Sequence, residues 1–230
     1  MALLLNIDTA TEHASVCLSQ DGNVLAIEES HEQKNHGSFL QPAIKRIFSS
    51  LHLQLSSLDA IAVTSGPGSY TGLRVGMASA KGLCYALDKP LLLLGTLEVM
   101  AHAAITGTSK AQLPTSNLLF CPMIDARRME VFAAIYDISM KQVLAPAAII
   151  LTEHSFINEL TNHTIHFSGS GSHKFQNILQ HPNGLFANLS CNAANIVALA
   201  EGAYQKKQFA NLAYSEPFYL KEFFSPAPKH

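Results

Sequence analysis

The feature that most narrows what this chain can fold into is an order of elements that occurs twice. Leu3 to Asp8, Ala14 to Ser19 and Val24 to Glu28 are short β-prone runs, with the turn signal Asp21-Gly22-Asn23 between the last two, and predict a three-stranded meander. A helix follows, with Leu40, Ile44, Ile47 and Leu51 on one face, Ser38 and Gln41 as a capping box, and Pro42 in or near the first turn. Ile61 to Val63 reads as a strand, Thr71 to Leu87 as a helix, Leu91 to Leu94 as a buried strand and Leu97 to Ile105 as a helix. After a looser segment from Thr106 to Asn117 the pattern restarts. Strands are expected at Leu118 to Ile124, Val131 to Asp137 and Val143 to Ile150, a helix at Glu153 to Leu160 and a strand at Thr164 to Ser168. Phe175 to Leu179 is then helical, Leu185 to Leu189 extended and Ala193 to Gln205 an alanine-rich helix.

Both halves therefore read βββαβαβα, and they share landmarks: a first strand ending in Ile7-Asp8 or Ile124-Asp125, and a Gly/Ser turn after the fourth strand. Two such lobes describe an α/β chain of the actin-like, hexokinase-like ATPase fold, a doubled ribonuclease H-like motif with nucleotide in the cleft between lobes. The expected lobes are 1–107 and 108–230, with the destination of the last helix open between them and 225–230 a disordered tail.

Composition sets the outer bounds. Of 230 residues 48% are hydrophobic, enough for a sizeable core. Net charge is −2 with four arginines, which gives no dense basic face for binding nucleic acid unaided. Cys17, Cys84, Cys121 and Cys191 are scattered without a C-x-x-C pair, as expected of reduced core thiols. The N-terminus lacks a basic leader and no apolar run reaches membrane-spanning length, so the expected location is the cytoplasm, without a membrane.

The most structured motif is Ser65-Gly66-Pro67-Gly68-Ser69-Tyr70-Thr71-Gly72-Leu73-Arg74, a strand end, a glycine turn and a helix start. Gly66 and Gly68 allow positive φ or close backbone approach, Pro67 stiffens the turn, and Ser69 or Thr71 can cap the helix. The spacing matches neither a P-loop nor Gly-x-Gly-x-x-Gly. On glycines alone three readings remain: a structural turn, a phosphate or ligand contact, and a partner contact. Gly72, Gly76 and Ala80 continue as a stripe of small residues, which fits packing on the chain's own sheet and a subunit contact equally well.

Catalytic signals are sparse. Asp8-Thr9-Ala10-Thr11 keeps the first-strand acid and two hydroxyls of an actin-like phosphate hairpin but not its glycine, and Asp125-Ala126-Arg127-Arg128 also lacks a Gly-rich turn. Asp8, Thr9 and Thr11 are the candidate nucleotide contacts, set against a structural role for Asp8. Among eleven histidines the close pairs, His31/His36 and His163/His166, miss the i, i+4 spacing of a helical metal site. Ser168-Gly169-Ser170-Gly171 is not a nucleophile elbow.

At Ile7 to Thr11, Gly66 to Arg74, Ala80-Lys81-Gly82-Leu83, Asp125 to Arg128 and Pro217-Phe218-Tyr219-Leu220 the chain resembles the bacterial TsaB (YeaZ) family of tRNA threonylcarbamoyladenosine biosynthesis. The resemblance implies a two-lobe protein without its own catalytic centre. Its partner would be the metal-bearing paralogue TsaD, which it stabilises and activates in threonylcarbamoyl transfer to adenosine 37 of tRNAs reading ANN codons. It also implies the ATPase TsaE as a further partner, tRNA contact only through the complex, and a homodimer when alone. ATP or ADP at a subunit junction stays open, and the alternative is a stand-alone ATP-dependent phosphotransferase. A peptidase has no support beyond family nomenclature. The expected partner interface lies on the two first-lobe helices, at Leu40, Ile44, Gly72, Arg74, Gly76, Met77 and Ala80.

Overall fold

The computed structural model describes residues 2–32, 36–108 and 117–221. The expected tail 225–230 and most of the loose segment between the halves lie outside them. The first half contains strands Leu3–Asp8 (β1), Ala14–Gln20 (β2), Asn23–Ser30 (β3), Ala60–Gly66 (β4) and Leu91–Gly95 (β5), with helices His36–Ser50 (α1), Tyr70–Leu87 (α2) and Thr96–Gly107 (α3). The second contains Leu118–Asp125 (β6), Glu130–Asp137 (β7), Gln142–Ile150 (β8), Thr164–Ser168 (β9) and Gly184–Ala187 (β10), with helices Ile157–Asn162 (α4), Ser172–Gln176 (α5) and Val197–Gln205 (α6). Their sheets run β3-β2-β1-β4-β5 and β10-β9-β6-β7-β8. In each, the three-stranded meander is antiparallel and the later strands add in parallel. This is the actin-like pair of βββαβαβα units.

β1 is buried along its whole length because both faces of its sheet are covered. Leu3, Leu5 and Ile7 face α1 and α2 in one core, which includes Leu40, Ile44, Ile47, Met77 and Ala80. Leu4 faces the other way, into a core with Ala60, Ala62, Leu92 and Leu94 closed by Ile196, Val197, Ala200 and Ala203. The last helix thus returns to the first sheet, although it follows the second sheet in sequence. Its alanines present little bulk and let it lie close. In the second lobe Phe156, Phe167, Phe175 and Phe186 pack ring to ring over the sheet. α3 joins the halves, with Leu97, Met100 and Ala101 against Ile124, Ala134 and Tyr136.

Three local expectations shift. α1 begins at His36, so Pro42 sits in its second turn, exposed, and costs the helix one main-chain bond. The helix expected from Glu153 starts at Ile157, because Thr152 and Ser155 form their own turn. In that turn Thr152 N–H donates to Ser155 Oγ and His154 N–H to Thr152 Oγ1. The helix expected at Phe175 starts at Ser172, where the Ser172 amide donates to the Gly169 carbonyl.

Candidate functional site

β4 delivers the glycine turn to the start of α2, where Ser69 is the N-cap and its Oγ accepts from Gly72 N at 3.3 Å. Gly66 has φ +119, and the Gly66–Pro67 peptide is cis. What approaches this turn is the chain itself. Ser69 N–H donates to Ala10 O at 2.7 Å, and the Thr9 hydroxyl donates to Gly72 O at 2.8 Å. A Cβ on Gly68 would lie 2.2 Å from Ala10 O, one on Gly72 2.0 Å from Thr9 O, and one on Gly76 2.3 Å from Thr9 Oγ1. The glycines exist so that the β1–β2 connection can rest on the helix start. Ser69 N–H and Gly72 N–H are therefore spent inside the protein, and the structural reading of the turn prevails over a phosphate contact through them.

Of the expected nucleotide residues, Asp8 and Thr9 are correspondingly inward and Thr11 is half-buried. Thr9 is fully buried and Asp8 is 4% exposed. Asp8 Oδ1 accepts from Thr64 Oγ1 at 2.8 Å and from Ala10 N at 3.1 Å. Burial pushes the Asp8 carboxyl above its ordinary range, against the opposing effects of the Ala10 and Thr64 hydrogen bonds and the charge of His36. The Thr11 carbonyl accepts from His36 Nε2 at 3.1 Å. Nearby, burial, with Asp8 as a smaller cause, pushes the Cys191 thiol up to about 12, an inert thiol.

The second lobe repeats the arrangement with different atoms. Asp125 N–H donates to Ser170 Oγ at 3.1 Å and Gly171 N–H to Met123 O at 3.0 Å, so this Gly/Ser turn also clasps its first hairpin. Into the hairpin reaches Lys174, whose Nζ lies 2.9 Å from Asp125 Oδ1, 2.8 Å from Arg128 O and 2.7 Å from Glu130 O. A lysine ammonium fills the hairpin. Nothing in the spacing around Lys174 signals this role.

The expected partner residues need correction. Leu40, Ile44, Met77 and Ala80 are 0–4% exposed and hold α1 and α2 to their own sheet. Gly72 and Gly76 face Thr9, for the reason just given. A stripe of small residues marks close approach, and here the approaching surface is the β1–β2 connection. Of the expected set only Arg74 points outward. The free side of α2 carries Ala78, Gly82 and Tyr85, the last 84% exposed, and beside α1 a shallow groove is lined by Gln41, Pro42, Lys45, Ser49, His52 and Leu53.

Sequence reading also missed the role of the C-terminal segment. Ala210 pairs with Leu91, Lys81 Nζ donates to the carbonyls of Ala213 and Ser215, and Phe218 N–H donates to Ser65 O at 2.7 Å. The Tyr219 ring packs tilted against Tyr70 with centroids 5.0 Å apart, and Lys221 pairs with Glu130 of the second lobe. The strap crosses the motif turn from one lobe to the other. Pro217-Phe218-Tyr219-Leu220 was visible in the resemblance, but its docking site was not.

Among the described residues no group of three or more His, Cys, Asp or Glu side chains could hold a metal ion, and no helix is long and apolar enough to cross a membrane. A family model, TsaD: tRNA N6-adenosine threonylcarbamoyltransferase, matches residues 24–222. The chain belongs to this family, in its TsaB/YeaZ branch. It is similar to the tRNA threonylcarbamoyladenosine biosynthesis protein TsaB of Haemophilus influenzae, at 28% identity over 95% of this chain and 93% of that one. TsaB of Escherichia coli is 35% identical over 58% of this chain and 54% of its own length. The solved structure of YeaZ from Pseudomonas aeruginosa superposes with a TM-score of 0.80 at 25% identity, covering 96% of this chain and all of that one. The residues that carried the resemblance fall at the two clasped hairpins, along α2 and the turn before it, and in the strap.

Proposed function

We propose that this chain is the noncatalytic subunit of a TsaD-related complex that makes tRNA threonylcarbamoyladenosine, supporting the metal-bearing paralogue in transfer to adenosine 37. The observation that carries this reading is the closure of both hairpins by the chain's own atoms, the first by Ser69 N and Thr9 Oγ1 and the second by Lys174. An actin-like kinase uses those places to admit phosphate. Here a phosphate would have to displace the bonds that hold the start of α2 to the β1–β2 connection. The kinship to TsaB proteins and to the TsaD family model supports the same reading.

The partner face in this proposal is the outward side of α1 and α2, with Arg74, Ala78, Tyr85 and the α1 groove as contacts. The same face pairs two copies when the paralogue is absent. TsaE joins the assembly, tRNA is held by the complex in the cytoplasm, and a subunit junction is the place left for ATP or ADP. Co-expression with the paralogue and gel filtration test the assembly, and two separate peaks at micromolar concentration would overturn it. Calorimetry of the isolated chain with ATP and magnesium tests the phosphotransferase alternative. Tight binding together with turnover lost in Asp8→Ala would install that alternative instead.

A further inference from the structure

The chain has four arginines, and the structure divides them unevenly. Arg46 lies on the far side of α1, paired with Glu28 at 2.9 Å. Arg74, Arg127 and Arg128 have no carboxylate within 4.0 Å among the described residues. The acids that might neutralise the hairpin pair are engaged elsewhere: Asp125 takes Lys174 and the Arg127 amide, and Glu130 takes Lys221. Arg127 and Arg128 form the exposed tip of the β6–β7 hairpin in consecutive left-handed conformations, φ +70 and +49, and Lys174 ties that backbone down. Arg74 is linked to the tip by the strap, since Tyr219 bonds Arg74 and, two residues on, Lys221 meets Glu130 beside the hairpin.

Arg74 spends its Nε on Tyr219 and lies over the Tyr70 ring, whereas the Arg127 and Arg128 guanidiniums keep their donors and full charge for a ligand. Placing two side by side on the exposed tip of a chain whose net charge is −2 goes against self-repulsion and suits a polyanion. We infer that this hairpin tip, Arg127 with Arg128, binds the phosphodiester backbone of RNA. The inference rests on the function proposed above and specifies where this subunit touches the tRNA: at the margin of the α2 face, where RNA held by a docked partner would continue onto the hairpin. Phosphate contacts of this kind set register and affinity and read no bases.

The experiment uses the complex with the paralogue and an unmodified tRNA transcript, with binding followed against salt concentration. Arg127→Asn/Arg128→Asn removes both charges and keeps residues that tolerate the left-handed region. It should still co-elute with the paralogue, bind tRNA more weakly, and show a log–log salt slope shallower by about 1.4–1.8, the value for two released counterions. Arg127→Lys/Arg128→Lys should restore most of the slope. Equal slopes for wild type and the Asn variant overturn this inference alone. Loss of co-elution in the Asn variant would assign the arginines to the protein interface and overturn it as well. A wild-type chain that never co-elutes overturns the functional reading first and this one with it.

Discussion

Tyr219 Oη accepts a hydrogen bond from Arg74 Nε at 3.1 Å across 145 residues of sequence. The Arg74 guanidinium also lies 4.1 Å over the Tyr70 ring, so the end of the strap and the first turn of α2 form one unit. Tyr219→Ala removes the bond and the ring contact, and Phe218→Pro removes the donor to Ser65 O. Each should loosen the strap. Hydrogen exchange at 210–221 should speed up while the strands of the first sheet stay protected. Unchanged exchange would show that the strap is held by its apolar contacts.

The glycines of α2 separate by what a methyl group would strike. Gly72→Ala places Cβ on the Thr9 carbonyl, and Gly76→Leu drives a side chain into Thr9 and Val63. Overpacking of this kind costs about 1–3 kcal/mol or more. Gly82 has nothing within 4 Å of its Cβ position, so Gly82→Ala should stabilise the isolated chain by roughly 0.8–1 kcal/mol through helix propensity. Thermal melts of the three variants check the order. Retained stability in Gly76→Leu would mean that the stripe does not bear on the β1–β2 connection.

Asp8 gives a pH signature. Its folded carboxyl sits above the unfolded value, chiefly through burial, so the fold binds the proton more tightly than the unfolded chain does. The resulting contribution is fully present below the unfolded pKa and is lost as pH rises through the folded one. Asp8→Asn keeps an acceptor for Thr64 and Ala10 without a charge to desolvate. The variant should melt higher than wild type at pH 7, with the gap narrowing toward pH 4. A site built to hold phosphate-bound metal through an ionised Asp8 predicts no such gain.

Lys174 is 16% exposed and has three oxygen partners, one of them charged. Lys174→Met keeps much of the stem's packing and leaves the Asp125 carboxylate and two carbonyls without their ammonium. Denaturant titration should register a loss of about 1.5–3 kcal/mol. A loss near zero would show that water replaces the ammonium freely.

Element order was legible because apolar spacing is local: Leu40, Ile44 and Ile47 on one helical face, or the run Leu3-Leu4-Leu5 that opens β1, report burial wherever the element ends up. The Ser69 cap was legible for the same reason, since its partner is three residues away. Where short-range rules compete, as between the Thr152–Ser155 turn and a helix, local sequence was ambiguous and the turn won.

By itself, then, the sequence determined the doubled βββαβαβα order, the buried strands and the position of the glycine turn. Only the tertiary structure decided what each buried face meets. Gly72 and Gly76 announce close approach, but that the β1–β2 connection and not a partner approaches depends on Thr9, far away in the chain. The return of α6 to the first sheet, the capture of Asp125 by Lys174 and the docking of Tyr219 on Arg74 are likewise long-range pairings. The physical reason is that periodicity encodes that a surface must be covered, whereas the covering element is selected by shape and charge once the whole chain has come together.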